Sequence, residues 1–234
     1  MDSKNILIIV EGARTDTRLM IKMMENYGLD NYNIVSYNTN IYVLYKQLFV
    51  DGSSYGVDLL QTLIEHEKNE NIKEKLKLNY THIILCFDLD PHDSQYSNKK
   101  IIELSQFFNE STENGKLYLN YPMIESYSHR NGVDDLKYKK REVTCDCLLK
   151  YKQIVNKFTP DPNKIYDSKN MSKVIYQNLE KANYIIGDDE KTLYPDLIKV
   201  LEAQIEKILK EKSMFVLCTC IFFIVDYNKN LLQL

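Results

Sequence analysis

His82-Ile83-Ile84-Leu85-Cys86-Phe87-Asp88-Leu89-Asp90-Pro91-His92-Asp93 decides the reading of this chain, because an apolar run of strand character stops abruptly at three carboxylates. Continuous runs of this kind belong to strands buried on both faces of a parallel sheet. In open sheets ligands bind just beyond the carboxyl ends of the strands, where Asp88, Asp90 and Asp93 fall. Asp88 follows the strand directly, and Asp90 shares its side of the pleat. Crowded carboxylates repel one another at neutral pH. They need a shared proton, a nearby Lys or Arg, or a divalent cation held through hard oxygen ligands. A Mg²⁺ or Mn²⁺ site is the expectation. The ordinary alternative is loop chemistry, since Asp-Pro and Asp-Ser are common turn formers and helix caps.

Outward from this stretch the chain alternates strand and helix patterns. Ile6 to Val10 is a second apolar, β-branched run, and it ends at Glu11-Gly12. From Ala13, apolar positions at Leu19, Met20, Met23 and Met24 recur at helical spacing until Gly28. Asn33 to Tyr37 reads as a strand, and Ile41 to Phe49 and Val57 to His66 as helices separated by Asp51-Gly52-Ser53-Ser54. Lys68 to Lys77 reads as a solvated helix end and loop. After the aspartates, Ile101, Ile102, Leu104, Phe107 and Phe108 mark a helix, and Lys116 to Tyr121 a strand before Pro122. Alternation of this kind implies an α/β fold with a mostly parallel sheet flanked by helices. Val143 to Phe158, Met171 to Ile186 and Asp196 to Lys212 read as helices, punctuated by Pro160, Pro162 and Gly187. Met214 to Asp226 is open between helix and strand. The expected organisation is an α/β catalytic domain over residues 1–130 and a helical extension over 131–234 packed on the same core.

Composition narrows the function classes. With 234 residues the chain is long enough to bury one substantial core. A net charge of −3 argues against a charge-driven, non-specific nucleic-acid binder. It leaves room for an enzyme that meets phosphates through metal and a local basic patch. Five cysteines without a regular framework, behind an N-terminal apolar run too brief for a signal peptide, point to a reducing cytosol. Met214 to Val225 is about a dozen residues, against the ~20 that cross a bilayer, so no membrane role is expected. Cys145/Cys147 and Cys218/Cys220 lack zinc-site spacing and read as packing residues.

Three acidic segments therefore follow three strands. If the first and central strands are neighbours, Glu11 approaches Asp88 and Asp90 at one sheet edge. The third segment, Asn120-Tyr121-Pro122-Met123-Ile124-Glu125-Ser126-Tyr127-Ser128-His129, adds Glu125 and, four residues on, His129. Lys137, Lys139, Lys140 and Arg141 form the densest basic cluster and are placed to meet a nucleic-acid backbone, although a solvated helix face diluted by Asp134, Asp135 and Glu142 is the plainer reading. Arg14 and Arg130 are further phosphate candidates, and His92 a proton-shuttle candidate. Tyr118, Tyr121 and Tyr127 suit base stacking or, more simply, packing.

A strand ending in Glu-Gly, a helix, and a later apolar strand ending in Asp-x-Asp resemble the toprim fold of topoisomerases, primases and nucleases. The Pro122-x-x-Glu125 segment followed by His129 is similar, more narrowly, to RloB-like and OLD-type toprim nucleases. The resemblance covers Ile6 to His129. It implies that Glu11 is a metal ligand or general acid/base, that Asp88 and Asp90 are the metal pair, and that Glu125 is the downstream acid with His129 after it. Asp16 stands where OLD-type members carry a second acid. Many toprim sequences continue Asp-x-Asp-x-x-Gly, and Asp93 departs from that glycine, as an added ligand or a cap. The implied chemistry is metal-assisted phosphodiester hydrolysis, with two cations about 4 Å apart activating water and stabilising the leaving oxygen. The resemblance further implies bacterial anti-phage defence and, since no P-loop motif is present, a separate ATPase or defence-system subunit as partner. The C-terminal half is the place for that partner or for a homodimer contact.

Two other readings stay open. On a haloacid-dehalogenase-like scaffold the first aspartate of Asp-x-Asp would be a phosphotransfer nucleophile, but the later Ser/Thr and Lys motifs are missing. A non-catalytic or partner-activated regulatory subunit would keep a toprim-like shell, at the cost of burying charge it does not use.

Overall fold

Two of the chain's most apolar short runs lie side by side at the centre of one sheet. In the computed structural model, described over residues 5–49, 56–161, 163–188 and 192–233, Ile6–Val10 forms β1 and Thr15–Asn26 the helix α1. Tyr32–Ser36 is β2, followed by α2 (Ile41–Leu48), α3 (Leu59–His66) and α4 (Glu70–Leu76). His82–Asp88 is β3, Asn98–Phe107 is α5, Asn109–Glu110 is the short β4, and Gly115–Asn120 is β5. The remainder comprises β6 (Glu142–Thr144), α6 (Tyr151–Phe158), α7 (Ser168–Ile186), α8 (Leu197–Glu211), β7 (Ser213–Phe215) and α9 (Phe223–Asn228), joined by short 3₁₀ turns.

The five-stranded sheet has the order β2-β1-β3-β5-β4, parallel throughout except for β4. Every residue of β1 is buried, as are all but one of β3, because both faces of these strands are covered. That double burial is why their sequences show no polar alternation. On β2, at the sheet edge, only Val35 is buried. The connection through α1 places β2 on one side of β1, whereas β3 pairs on the other side. The direction of sheet growth therefore reverses between β1 and β3, which makes the crevice at their carboxyl ends the topological switch point.

The second half of the chain joins the same hydrophobic core. Helix α7 starts at the N-cap Asp167, whose side chain accepts from Asn170 N. It buries Met171, Val174, Ile175, Leu179 and Ala182, and ends at Gly187 with φ 68°. That left-handed conformation costs a side-chain-bearing residue about 1 kcal/mol or more and glycine little. Each fully buried Leu or Ile on such a face contributes roughly 1.5–3 kcal/mol. Tyr121 and Leu217 exchange backbone hydrogen bonds of 2.8 and 2.9 Å, which fastens the C-terminal segment to the end of β5.

Several sequence expectations need correction. Val143 to Phe158 is not one helix: Glu142–Thr144 pairs antiparallel with Ser213–Phe215, Cys145–Lys150 is 3₁₀, and only Tyr151–Phe158 is α-helical. Strand pairing across some seventy residues overrides local helical pattern there. Met214 to Asp226 is neither one helix nor one strand, since β7, a 3₁₀ turn at Cys220–Phe222 and α9 divide it. The charged stretch after Lys68 holds a helix, capped by the Asn69 side chain on Asn71 N. The expected loop at 51–54 and Pro162 lie outside the described residues. Among the described residues no helix is long and apolar enough to cross a membrane.

Candidate metal centre

Strand register brings the first two acidic segments together. Val10 pairs with Cys86, so Glu11 leaves β1 beside the last residues of β3. Its backbone N–H donates to Cys86 O at 3.1 Å, and its carboxylate Oε2 accepts the N–H of Asp88 at 3.1 Å. Asp90 follows in the left-handed region, φ 41°, a conformation Asp tolerates better than most residues. Two hydrogen bonds hold that turn: Asp90 N donates to Pro122 O and Asp93 N to Asp90 O. Between the aspartates, the buried Tyr42 hydroxyl donates to Leu89 O. Glu11, Asp88 and Asp90 each present an oxygen within 4.8 Å of the other two, the one such group among the described residues.

A second acidic pair flanks this trio. Asp16, in the first turn of α1, is 6 % exposed, and its Oδ1 is buried without a hydrogen-bond partner. The same is true of Glu125 Oε2 and Asp90 Oδ1. Asp16 packs so closely on Gly12 that a Cβ there would stand 2.7 Å from Asp16 Oδ2, which explains the glycine after Glu11. Glu125 Oε1 lies 3.3 Å from Lys152 Nζ on α6.

The electrostatics are those of an under-neutralised site. Burial, then the charges of Asp90 and Asp16, push the Glu11 carboxyl up to about 8, against the opposing Asp88 N–H and Lys152. Burial and Glu125 raise Asp16 to about 6, with the backbone amides of Asp16 and Gly12 opposing. Asp90 rises to about 6 through burial, with His92 and Lys152 opposing and Asp93 and Glu125 adding to the rise. Asp88 is raised well above the carboxylate range, by burial first and then by Glu11, Asp16, Asp90 and Glu125. Lys152 loses by burial and gains more from Glu125, Asp88 and Asp16, so its ammonium is held above its usual range. Orphaned carboxylate oxygens converging at a switch point fit a hard divalent cation such as Mg²⁺ or Mn²⁺.

Other expected site residues lie elsewhere or do other work. Asp93 is a turn former: Oδ2 accepts from Asn40 Nδ2 at 2.8 Å and Oδ1 from Gln95 N at 2.7 Å, so both oxygens are engaged in holding the loop. His129 does not face out beside Glu125. It is buried, its Nδ1 is 3.0 Å from Tyr151 Oη, and burial with the charges of Arg141 and Lys181 lowers it to about 4. Arg141 is a structural cation rather than a phosphate contact, bonded to Asp135 Oδ2 and to His129 O and stacked over Phe158. Arg130 is fully buried, donating to Tyr127 O and Gln177 Oε1 above the Tyr138 ring. Lys137, Lys139 and Lys140 are exposed, with Lys139 over Tyr184, and Arg14 is exposed at the start of α1. Tyr118, Tyr121 and Tyr127 are core residues.

Sequence reasoning missed Lys152, a cation at this site in addition to His92, whose Nδ1 lies 4.0 Å from Asp90 Oδ1, and Asn120, which donates from Nδ2 to Asp88 Oδ1 at 3.3 Å. Nothing in the spacing of Lys152 marks it, while Asn120 sits opposite Asp88 in the β3–β5 register. No protein-family model, curated protein or solved structure matches the chain.

Proposed function

We propose that this protein is a divalent-metal-dependent phosphodiesterase of the toprim nuclease kind, acting on nucleic acid. The observation that carries the reading is the convergence of Glu11, Asp88 and Asp90 at the β1/β3 switch point, with Asp90 Oδ1 and the flanking Asp16 Oδ1 and Glu125 Oε2 buried without a hydrogen-bond partner. Glu11, Asp88 and Asp90 would hold the metal, with Asp16 and Glu125 as the flanking acids. When bound, Mg²⁺ or Mn²⁺ supplies positive charge to a phosphoryl group and eases ionisation of the attacking water.

The chain's own groups do the rest. Five carboxylates repel a phosphodiester until their charge is neutralised, so a substrate would be held only once metal or protons offset that charge. The hydrogen bond from Asp88 N to Glu11 Oε2 ties the two strand ends together and limits carboxylate motion. Lys152 brings a mobile positive charge to the rim, suited to a non-bridging phosphate oxygen. Hydrolysis adds water across one P–O bond, its proton passing to the leaving oxygen. The haloacid-dehalogenase-like alternative asks Asp88 to attack phosphorus, which suits poorly a carboxylate pressed against Glu11 and tied to Asn120. A bacterial defence role with a separate ATPase subunit in the cytoplasm belongs to the same proposal.

The test is cleavage of plasmid DNA, single-stranded DNA and total tRNA by the full chain with Mg²⁺ or Mn²⁺, beside Glu11→Ala and Asp88→Ala. Cutting that needs metal and both acids supports the proposal. Metal binding without cutting of any substrate moves the function to a partner-activated or regulatory subunit.

A further inference from the structure

We infer that Asn120 is a positioning residue through which the C-terminal segment 217–220 orients the Asp88 carboxylate. The inference rests on the metal reading of the site. Asn120 is completely buried at the end of β5, directly opposite Asp88 in the parallel register. Paired positions in register put their side chains on the same face of the sheet. Asn120 Nδ2 donates to Asp88 Oδ1 at 3.3 Å, and Asn120 Oδ1 accepts from Cys220 N at 3.5 Å.

The second contact, long at 3.5 Å, matches one orientation of the amide. A backbone N–H is only a donor, so Cys220 N selects the carbonyl oxygen of Asn120 and turns its NH₂ group towards Asp88. The segment that carries Cys220 is held from several sides. Thr219 Oγ1 donates to Leu119 O at 2.7 Å, Tyr121 and Leu217 exchange backbone hydrogen bonds, and Cys218 N donates to Asn178 Oδ1 on α7 at 3.1 Å. Leu89 N donates to Asn120 O at 3.0 Å, so the same residue also holds the backbone between Asp88 and Asp90. A path of hydrogen bonds joined by the 218–220 backbone thus runs from α7 through Asn120 to an oxygen of Asp88. Ligating carboxylates held in this way bind metal better because their orientation is fixed before the ion arrives, and losing such a partner commonly costs 10–100-fold in affinity.

The test follows Mn²⁺ binding by the electron paramagnetic resonance of the free ion, with the full chain as wild type, Asn120→Leu, Asp88→Asn and the double variant. Asp88→Asn keeps a neutral oxygen at the site, so its residual affinity is measurable at millimolar Mn²⁺. Asn120→Leu is expected to lose tenfold or more of the wild-type affinity and less than twofold in the Asp88→Asn background, because its effect passes through the carboxylate. Circular dichroism melts check folding, and Asn120→Ser, whose hydroxyl ends short of Asp88, is expected to show the same pattern if leucine is not tolerated. Wild-type affinity in either Asn120 variant, or an equal loss in both backgrounds, overturns the role of Asn120 while leaving the metal reading intact. A wild-type protein that binds no Mn²⁺ overturns both.

Discussion

The carboxylate of Glu11 accepts its hydrogen bond from the backbone N–H of Asp88 at 3.1 Å, and among the described residues from no side chain. The first acid of the site is thus anchored to the very residue whose side chain repels it. The arrangement persists without a cation only if protons are shared among the acids, and this has consequences that can be measured.

The metal-free protein should lose stability as pH rises. Glu11 is raised from 4.5 to about 8 and Asp90 from 3.8 to about 6. A group whose folded value is raised contributes its full stability below its unfolded value and loses it through the folded value. The window is therefore about pH 4 to 8, with Glu11 contributing the larger share and the upper end of the range. Thermal melts in a chelator should show the melting temperature falling from pH 6.5 to 8, above the range in which His129 titrates, and Mn²⁺ should raise it more at pH 8 than at pH 6. Glu11→Gln should flatten the slope. A pH-independent melting temperature in the chelator would contradict this account.

His129 predicts the opposite slope at lower pH. Its folded value lies near 4, below the ordinary 6.5, because the ring is buried near Arg141 and Lys181. Its contribution is present above pH 6.5 and is lost as pH falls towards 4, on the order of 3 kcal/mol in total. His129→Phe, which keeps a ring against Tyr151 and Phe158, should melt less acid-sensitively than wild type between pH 6.5 and 4. Identical acid limbs would refute the burial argument.

Lys152→Ala should separate catalysis from stability. The side chain is 67 % exposed, so its ion pair with Glu125 contributes less than about 1 kcal/mol to folding. Its loss at a site that must gather phosphate oxygens should lower cleavage on the order of 100-fold, with Lys152→Arg retaining more activity than Lys152→Ala. Unchanged rates with either variant would remove Lys152 from the site.

Gly12→Ala should damage the site by forcing Asp16 away. The added methyl would lie 2.7 Å from Asp16 Oδ2. A loss of about 1–3 kcal/mol in stability is expected from such overpacking, and Asp16→Ala in the same chain should restore most of it. Additive losses in a double-mutant cycle would show that the two residues are not in conflict.

The amino-acid sequence by itself determined the strand–helix alternation and the position of the acids. Ile6 to Val10 and Thr81 to Asp88, a strand that starts one residue later at His82, read as buried strands because covering both faces demands an uninterrupted apolar run, a local property. Glu11, Asp88 and Asp90 were legible as acids at strand ends, although turn formation and capping would leave the same local pattern. What only tertiary structure decided was set by long-range pairing and burial. Strand order made β1 and β3 neighbours and so brought the three oxygens together. The pairing of Glu142–Thr144 with Ser213–Phe215 broke an apparent helix. Packing buried His129 and Arg130, and loop hydrogen bonds spent both oxygens of Asp93. Lys152 and Cys220 reach the site from far along the chain, and their backbone and side-chain contacts depend on the folded core rather than on any local pattern. Spacing along a chain reports what one element buries; the partner it buries against is set only when all the elements pack.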